Sequence, residues 1–99
     1  MSNFLEDLQQ RLQNIIDDDS NNNSYTKSLI NSGSEQITKK IIEEAYETCL
    51  ASIESDGHKN GKEQLILESA DLIYHLLILL MSKNIKIEEV LDELKNRQK

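Results

Sequence analysis

Ninety-nine residues with a net charge of −7, 37% hydrophobic residues, no proline and three glycines describe one small domain of all-α class. The acidic balance argues against nucleic acid and against an anionic membrane, since both are gripped through lysine and arginine. A phosphorylated small substrate stays open, provided that metal ions bring the positive charge.

In chain order, Phe4, Leu5, Leu8, Leu12, Ile15 and Ile16 recur at helical spacing and predict an amphipathic helix over residues 3–17. The run DDDSNNNS (17–24) breaks it with residues that bond their own backbone, and so reads as a solvated loop. SYTKSLINSG (24–33) predicts a short helix stopping at Gly33, and Ser34 is a good N-cap for a helix over 35–55. That helix places Ile37, Ile41, Ile42, Ala45, Cys49, Leu50 and Ile53 on its apolar side, which makes Cys49 a packed, inert thiol. A turn with two glycines, SDGHKNGK (55–62), leads to a fourth helix over 63–82. SKNIK then separates it from a last helix over 87–97, with Val90, Leu91 and Leu94 inward.

No basic-then-apolar leader is visible, Asn22-Asn23-Ser24 is a chance glycosylation match, and the apolar run Leu72–Met81 is too short to span a bilayer. A cytoplasmic protein is the expectation. The fourth helix is apolar on nearly every side except for a stripe about 60° wide that holds Gln64, Glu68, Asp71 and His75. Such a helix needs cover on every side, and five short segments give too little. The reading is therefore a short multi-helix bundle completed by a second subunit, a homodimer; the alternative is a monomer with this helix central in its own bundle.

Acids set among leucines are costly unless something neutralises them. Glu68 and Asp71, three residues apart, project from one face. On the preceding helix, KKIIEEAYE (39–47) groups Lys40, Glu43, Glu44 and Glu47 opposite the isoleucines. Packed antiparallel, the two helices bring four or five carboxylates to one point, and an all-oxygen ligand set favours Mg²⁺ or Mn²⁺. Each half has a plainer reading. The three glutamates can form a solvated face, and Glu68 and Asp71 can pair with Lys39 or Lys40. His75, one turn after Asp71, reads as a hydrogen-bonded core histidine, a phosphate contact or a support for a ligand. The pattern ExxE followed twenty residues later by ExxD favours the metal.

With these residues in view, the chain resembles phosphoribosyl-ATP pyrophosphatases of histidine biosynthesis. The resemblance runs from Ser24 to Arg97 through SYTKSL (24–29), Gly33, KKIIEEAYET (39–48), ESADLIYHLLILL (68–80) and VLDELKNR (90–97). ExxE…ExxD alone marks the wider all-α nucleotide pyrophosphohydrolase superfamily; SYTxxL, KxxEExxE and ADLxYHLL narrow it. The resemblance implies an all-α fold, a dimer with active sites near the interface, and Mg²⁺-dependent hydrolysis of phosphoribosyl-ATP to phosphoribosyl-AMP and pyrophosphate. It further implies Glu44, Glu47, Glu68 and Asp71 as metal carboxylates. Glu43 would be a metal ligand or water-orienting group, so that Glu43, Glu44 and Lys40 carry catalysis. Lys40 and Arg97 would contact phosphate, with Arg97 as a merely exposed terminal residue the alternative. Ser24, Tyr25 and Thr26 would lie near the substrate, Tyr25 serving equally well as a core anchor.

Three positions depart from the family pattern: Glu35 stands where a basic residue is usual, Ile42 where glycine is common, and the 55–62 turn is longer than in compact relatives. The cyclohydrolase often fused to this enzyme is expected as a separate protein. The rival readings are a house-cleaning nucleoside triphosphate pyrophosphohydrolase and a non-catalytic acidic helical dimer. A di-iron bundle is disfavoured because Glu-x-x-His pairs are missing.

Overall fold

The computed structural model describes residues 4–20, 24–54 and 60–98. Five helices account for almost all of them: α1 (Phe4–Asp17), α2 (Tyr25–Ser32), α3 (Ser34–Glu54), α4 (Gly61–Ser82) and α5 (Ile87–Asn96). The described residues contain no strand, so the chain is all-α as its composition and periodicity predict. The expected 17–24 loop and 55–62 turn fall partly outside the described residues, as does the Asn22-Asn23-Ser24 match.

Local chemistry sets the ends. Ser24 caps α2 by accepting the Lys27 N–H at 3.2 Å. Gly33 stops α2 with φ +94°, in the left-handed region where a side chain is strained. Its carbonyl then accepts the Ile37 N–H at 3.3 Å, so Gly33 also opens α3. The expected cap, Ser34, is instead the first residue of the helix, because one glycine serves both ends. Glu89 accepts the Lys86 N–H at 2.9 Å and ties the start of α5.

α3 and α4 make the most extensive contact in the chain. Ala51 and Glu54 line one hollow with Gly61 and Gln64, Thr48 meets Glu68, and Glu44 meets Asp71. Rising numbers on α4 meet falling numbers on α3, so the pair is antiparallel as expected. The core lies at the end of this pair where α1, α2 and α5 gather, around Leu12, Leu29, Ile37, Leu77, Ile78, Met81 and Ile87. Ile37 and Ile78 are wholly buried, and each such side chain contributes roughly 1.5–3 kcal/mol. Buried Gln9 of α1 clamps the α4–α5 turn: its Oε1 accepts the Ile87 N–H at 2.8 Å and its Nε2 donates to the Ile85 carbonyl at 3.2 Å.

The outward faces of the pair are bare. Ile42, Tyr46 and Ile53 of α3 and Ile66 and Leu67 of α4 are all more than half exposed. Cys49 is exposed too, which corrects the expectation of a packed thiol. The reason is reach: α3 packs on α4 and on the short α2, which leaves its outward face uncovered. At 22 residues, α4 is also longer than its most apolar run suggested, and is long and apolar enough to cross a membrane. Its packing against α3 and its buried His75 are those of a core helix.

Candidate active site

Between α3 and α4 three carboxylates meet. One oxygen each from Glu44, Glu68 and Asp71 lies within 4.8 Å of the others. Glu44 is buried, Glu68 half-buried and Asp71 exposed, so the cluster is closed on the protein side and open on the other. Helical spacing explains the convergence: Glu68 and Asp71 share one face of α4, and Glu44 sits on the face of α3 that packs there.

The charge is under-compensated. Lys40 reaches Glu44 Oε1 at 3.8 Å and Glu43 Oε2 at 3.6 Å. Among the described residues no lysine or arginine pairs with Glu68 or Asp71, so the alternative in which Lys39 or Lys40 neutralises them is not what the fold does. Gln64 donates to Glu68 Oε2 at 2.9 Å. The second oxygen of Glu44, buried within the fold, has no hydrogen-bond partner at all. A buried carboxylate oxygen without a donor is an expensive arrangement, one that a bound cation would relieve.

Glu47 faces the same group from one turn further along α3. The negative charge of Glu44 holds its carboxyl above the ordinary range; desolvation adds to this, as do the charge and hydrogen bond of Glu68. Desolvation pulls the Lys40 ammonium down, but Tyr25, Glu43 and Glu44 outweigh it and its net shift is upward. Lys40 therefore stays charged beside the cluster.

An octahedral Mg²⁺ with oxygens at about 2.1 Å spans about 4.2 Å between opposite ligands. Adjacent ligands of such an ion stand about 3 Å apart, so the three oxygens, now within 4.8 Å of one another, would close on one ion by rotation of their side chains. The donor set is all oxygen, the buried oxygen is orphaned and the solvent side is open. These features fit a hard cation that keeps positions for water or phosphate.

The remaining predicted residues fall in two places. His75 is buried beside the cluster; its Nδ1 lies 2.7 Å from the Asp71 carbonyl and its Nε2 2.9 Å from the Tyr25 hydroxyl. Tyr25 and Tyr74 stack with ring centroids 6.3 Å apart, and both meet His75 edge-on. Thr26 is buried and bonds the Tyr74 hydroxyl, while the Ser24 hydroxyl caps α2. Ser24 and Thr26 thus hold α2 in place, and Tyr25, about half exposed, is the member of SYT that faces outward. Arg97 is not brought to the cluster: it ends α5, which packs on α1, and pairs with Glu93 at 3.0 Å.

Sequence reasoning missed Thr48. Its hydroxyl lies 2.7 Å from the Glu44 carbonyl and 3.2 Å from the Glu68 carbonyl, tying together the two backbones that carry the cluster. A threonine four residues after Glu44 was the available signal, since it habitually bonds back to that carbonyl. The contact to α4 had none.

An all-α chain whose two longest helices converge their carboxylates has the make-up of the all-α nucleotide pyrophosphohydrolases. More narrowly, the sequence profile of the phosphoribosyl-ATP pyrophosphohydrolase family matches residues 5–98, and the chain belongs to that family. It is 40% identical over its whole length to a phosphoribosyl-ATP pyrophosphatase of Metallosphaera sedula, all of which it covers. It is 39% identical to the enzyme of that name from Pyrobaculum calidifontis, over 91% of this chain and 94% of that protein. A histidine biosynthesis bifunctional protein of Buchnera aphidicola is 41% identical over 97% of this chain, which spans 44% of that longer protein.

Proposed function

We propose that the chain hydrolyses phosphoribosyl-ATP to phosphoribosyl-AMP and pyrophosphate, the second step of histidine biosynthesis, at the carboxylate cluster of α3 and α4. Family membership and the named relatives support the reaction. The observation that carries the site is the orphaned oxygen of buried Glu44 beside Glu68 and Asp71.

Glu44, Glu47, Glu68 and Asp71 would hold Mg²⁺, with Mn²⁺ an acceptable substitute. When bound, such an ion polarises phosphoryl oxygens and screens charge developing on them. The chain's own groups do the rest. Lys40, charged and at the rim, balances a phosphate oxygen. Glu43, exposed on the solvent side of Lys40, takes a proton from the attacking water. Water adds across the α–β anhydride: its oxygen bonds to phosphorus as the bridging bond breaks, and pyrophosphate leaves with the electron pair.

The exposed apolar side chains Ile42, Tyr46 and Ile53 of α3 and Ile66 and Leu67 of α4 are covered, in this reading, by a second copy of the chain. The family resemblance implies active sites near such an interface. The setting is the cytoplasm.

The test is pyrophosphate release from phosphoribosyl-ATP with Mg²⁺, against a chelator control. Release that stops with chelator and resumes with Mg²⁺ is expected. Release on ordinary nucleoside triphosphates but not on phosphoribosyl-ATP would overturn the substrate assignment.

A further inference from the structure

Thr48 stands one turn after Glu44 on the face of α3 that packs against α4. Its hydroxyl has one proton and two acceptors, the Glu44 main-chain carbonyl at 2.7 Å and the Glu68 main-chain carbonyl at 3.2 Å. The first bond is a local habit of threonine within a helix. The second crosses to the neighbouring helix and meets the backbone of the residue that carries the facing carboxylate.

The surroundings work against this closeness. Oxygens of Glu44, Glu68 and Asp71 lie within 4.8 Å of one another, and like charges so placed push α3 and α4 apart. Lys40 reaches Glu44 from the same helix, so its charge does nothing to join the two helices. Beyond Thr48 the facing residues Ala51 and Gly61 are small and line a hollow, which leaves little side-chain grip. Apolar contact is also non-directional and lets packed helices slide by fractions of an ångström. A hydrogen bond fixes distance and direction together. Thr48 makes one between the two main chains at the level where repulsion acts.

We propose that Thr48 is a positioning residue for the metal site. Its hydroxyl sets the spacing and register of α3 against α4 in the metal-free chain, so that the carboxylates stay gathered for a divalent cation instead of spreading. Ligands gathered in advance cost less to order when the cation binds, and affinity rises accordingly. The proposal rests on the reading of the cluster as a Mg²⁺ site and names what keeps that site assembled.

Isothermal titration of Mg²⁺ into chelator-treated protein tests it. Thr48→Ala, which loses the hydroxyl and the methyl, should bind Mg²⁺ about tenfold more weakly, the usual loss when an outer partner of a metal site is removed. Thr48→Ser keeps the hydroxyl and loses the same methyl, and should bind close to wild-type strength. The Mg²⁺ concentration that half-saturates pyrophosphate release should rise in Thr48→Ala by the same factor as the dissociation constant. A residue that served only the fold would lower the melting temperature and leave the Mg²⁺ affinity of the folded chain unchanged. Thr48→Ala that binds as tightly as wild type therefore overturns the proposal, as does Thr48→Ser that binds as weakly as Thr48→Ala. If Thr48→Ala does not melt cooperatively, the metal-free wild type decides. Its Thr48 hydroxyl proton should exchange slowly enough to give a resolved proton resonance, and a freely exchanging one overturns the proposal. Should the wild type take up no Mg²⁺, the reading of the cluster falls and the proposal with it. Normal wild-type binding that Thr48→Ala leaves unchanged removes the role of Thr48 alone, so the two failures are told apart.

Discussion

Two apolar regions of the α3–α4 pair meet opposite fates. Ile37, Leu77 and Ile78 are buried in the core with side chains of α1, α2 and α5; Ile42, Tyr46, Ile53, Ile66 and Leu67 face outward. In the carboxylate cluster Glu44 is buried and Asp71 exposed. The core therefore supplies rigidity, and the cluster supplies a wall that is dry on one side and wet on the other. Charge held in that position interacts more strongly with a cation than the same charge on an open helix face.

The comparison breaks first, and hardest, at Glu44. Glu44→Gln should lower pyrophosphate release by on the order of a hundredfold or more, while the metal-free variant melts no lower than wild type because a buried charge that Lys40 only partly compensates has gone. A large loss of both activity and thermal stability would mean that Glu44 holds the fold rather than the site.

Next in size is the bare face. Ile53→Glu puts a charge among the side chains proposed to lie between two copies, where burying it unpaired costs several kcal/mol. Sedimentation equilibrium should show wild-type dimers and mutant monomers; a variant that still dimerises would move the interface elsewhere.

In the core, Gln9→Leu leaves the Ile87 N–H and the Ile85 carbonyl without their buried partner. Denaturant unfolding should show a loss of about 1–3 kcal/mol, with kcat unchanged in what remains folded. If kcat falls with it, the two regions are coupled rather than separate.

How far these regions were legible in the sequence follows the same line. Apolar periodicity located all five helices, and the i, i+3 acids on each of two helices located the cluster, because both signals are local. Gly33 acting for two helices shifted a cap by one residue, which no composition reveals. The Gln9 clamp joins positions 76 and 78 residues apart, and a lone glutamine on an amphipathic helix reads as surface. Reading Cys49 and Ile53 as packed assumed that any apolar side finds cover; α3 packs on α4 and the short α2, and its outward face finds none. For Arg97 the motif match gave a position in the chain and could not say that α5 would lie against α1.

The smallest expected effect concerns pH. With Glu47 held above its ordinary value in the folded chain, chiefly by Glu44, the folded state keeps a proton there that the unfolded state has lost. The stability this group contributes is full below the unfolded value and is lost as pH rises through the folded one. In metal-free protein, wild-type stability should fall relative to Glu47→Gln as pH rises above the ordinary carboxyl range, measured by thermal melts at matched ionic strength. A parallel profile for the two proteins would remove Glu47 from the cluster's electrostatics.

The claim on which the account turns is that Glu44, Glu68 and Asp71 together bind a hard divalent cation. Isothermal titration of Mg²⁺ into chelator-treated wild-type protein and into Glu44→Gln, in the absence of any nucleotide, addresses it without relying on activity. Saturable binding to the wild type that is lost or strongly weakened in the variant is the expected result. Equal binding to both, or none to either beyond nonspecific screening, would contradict the account.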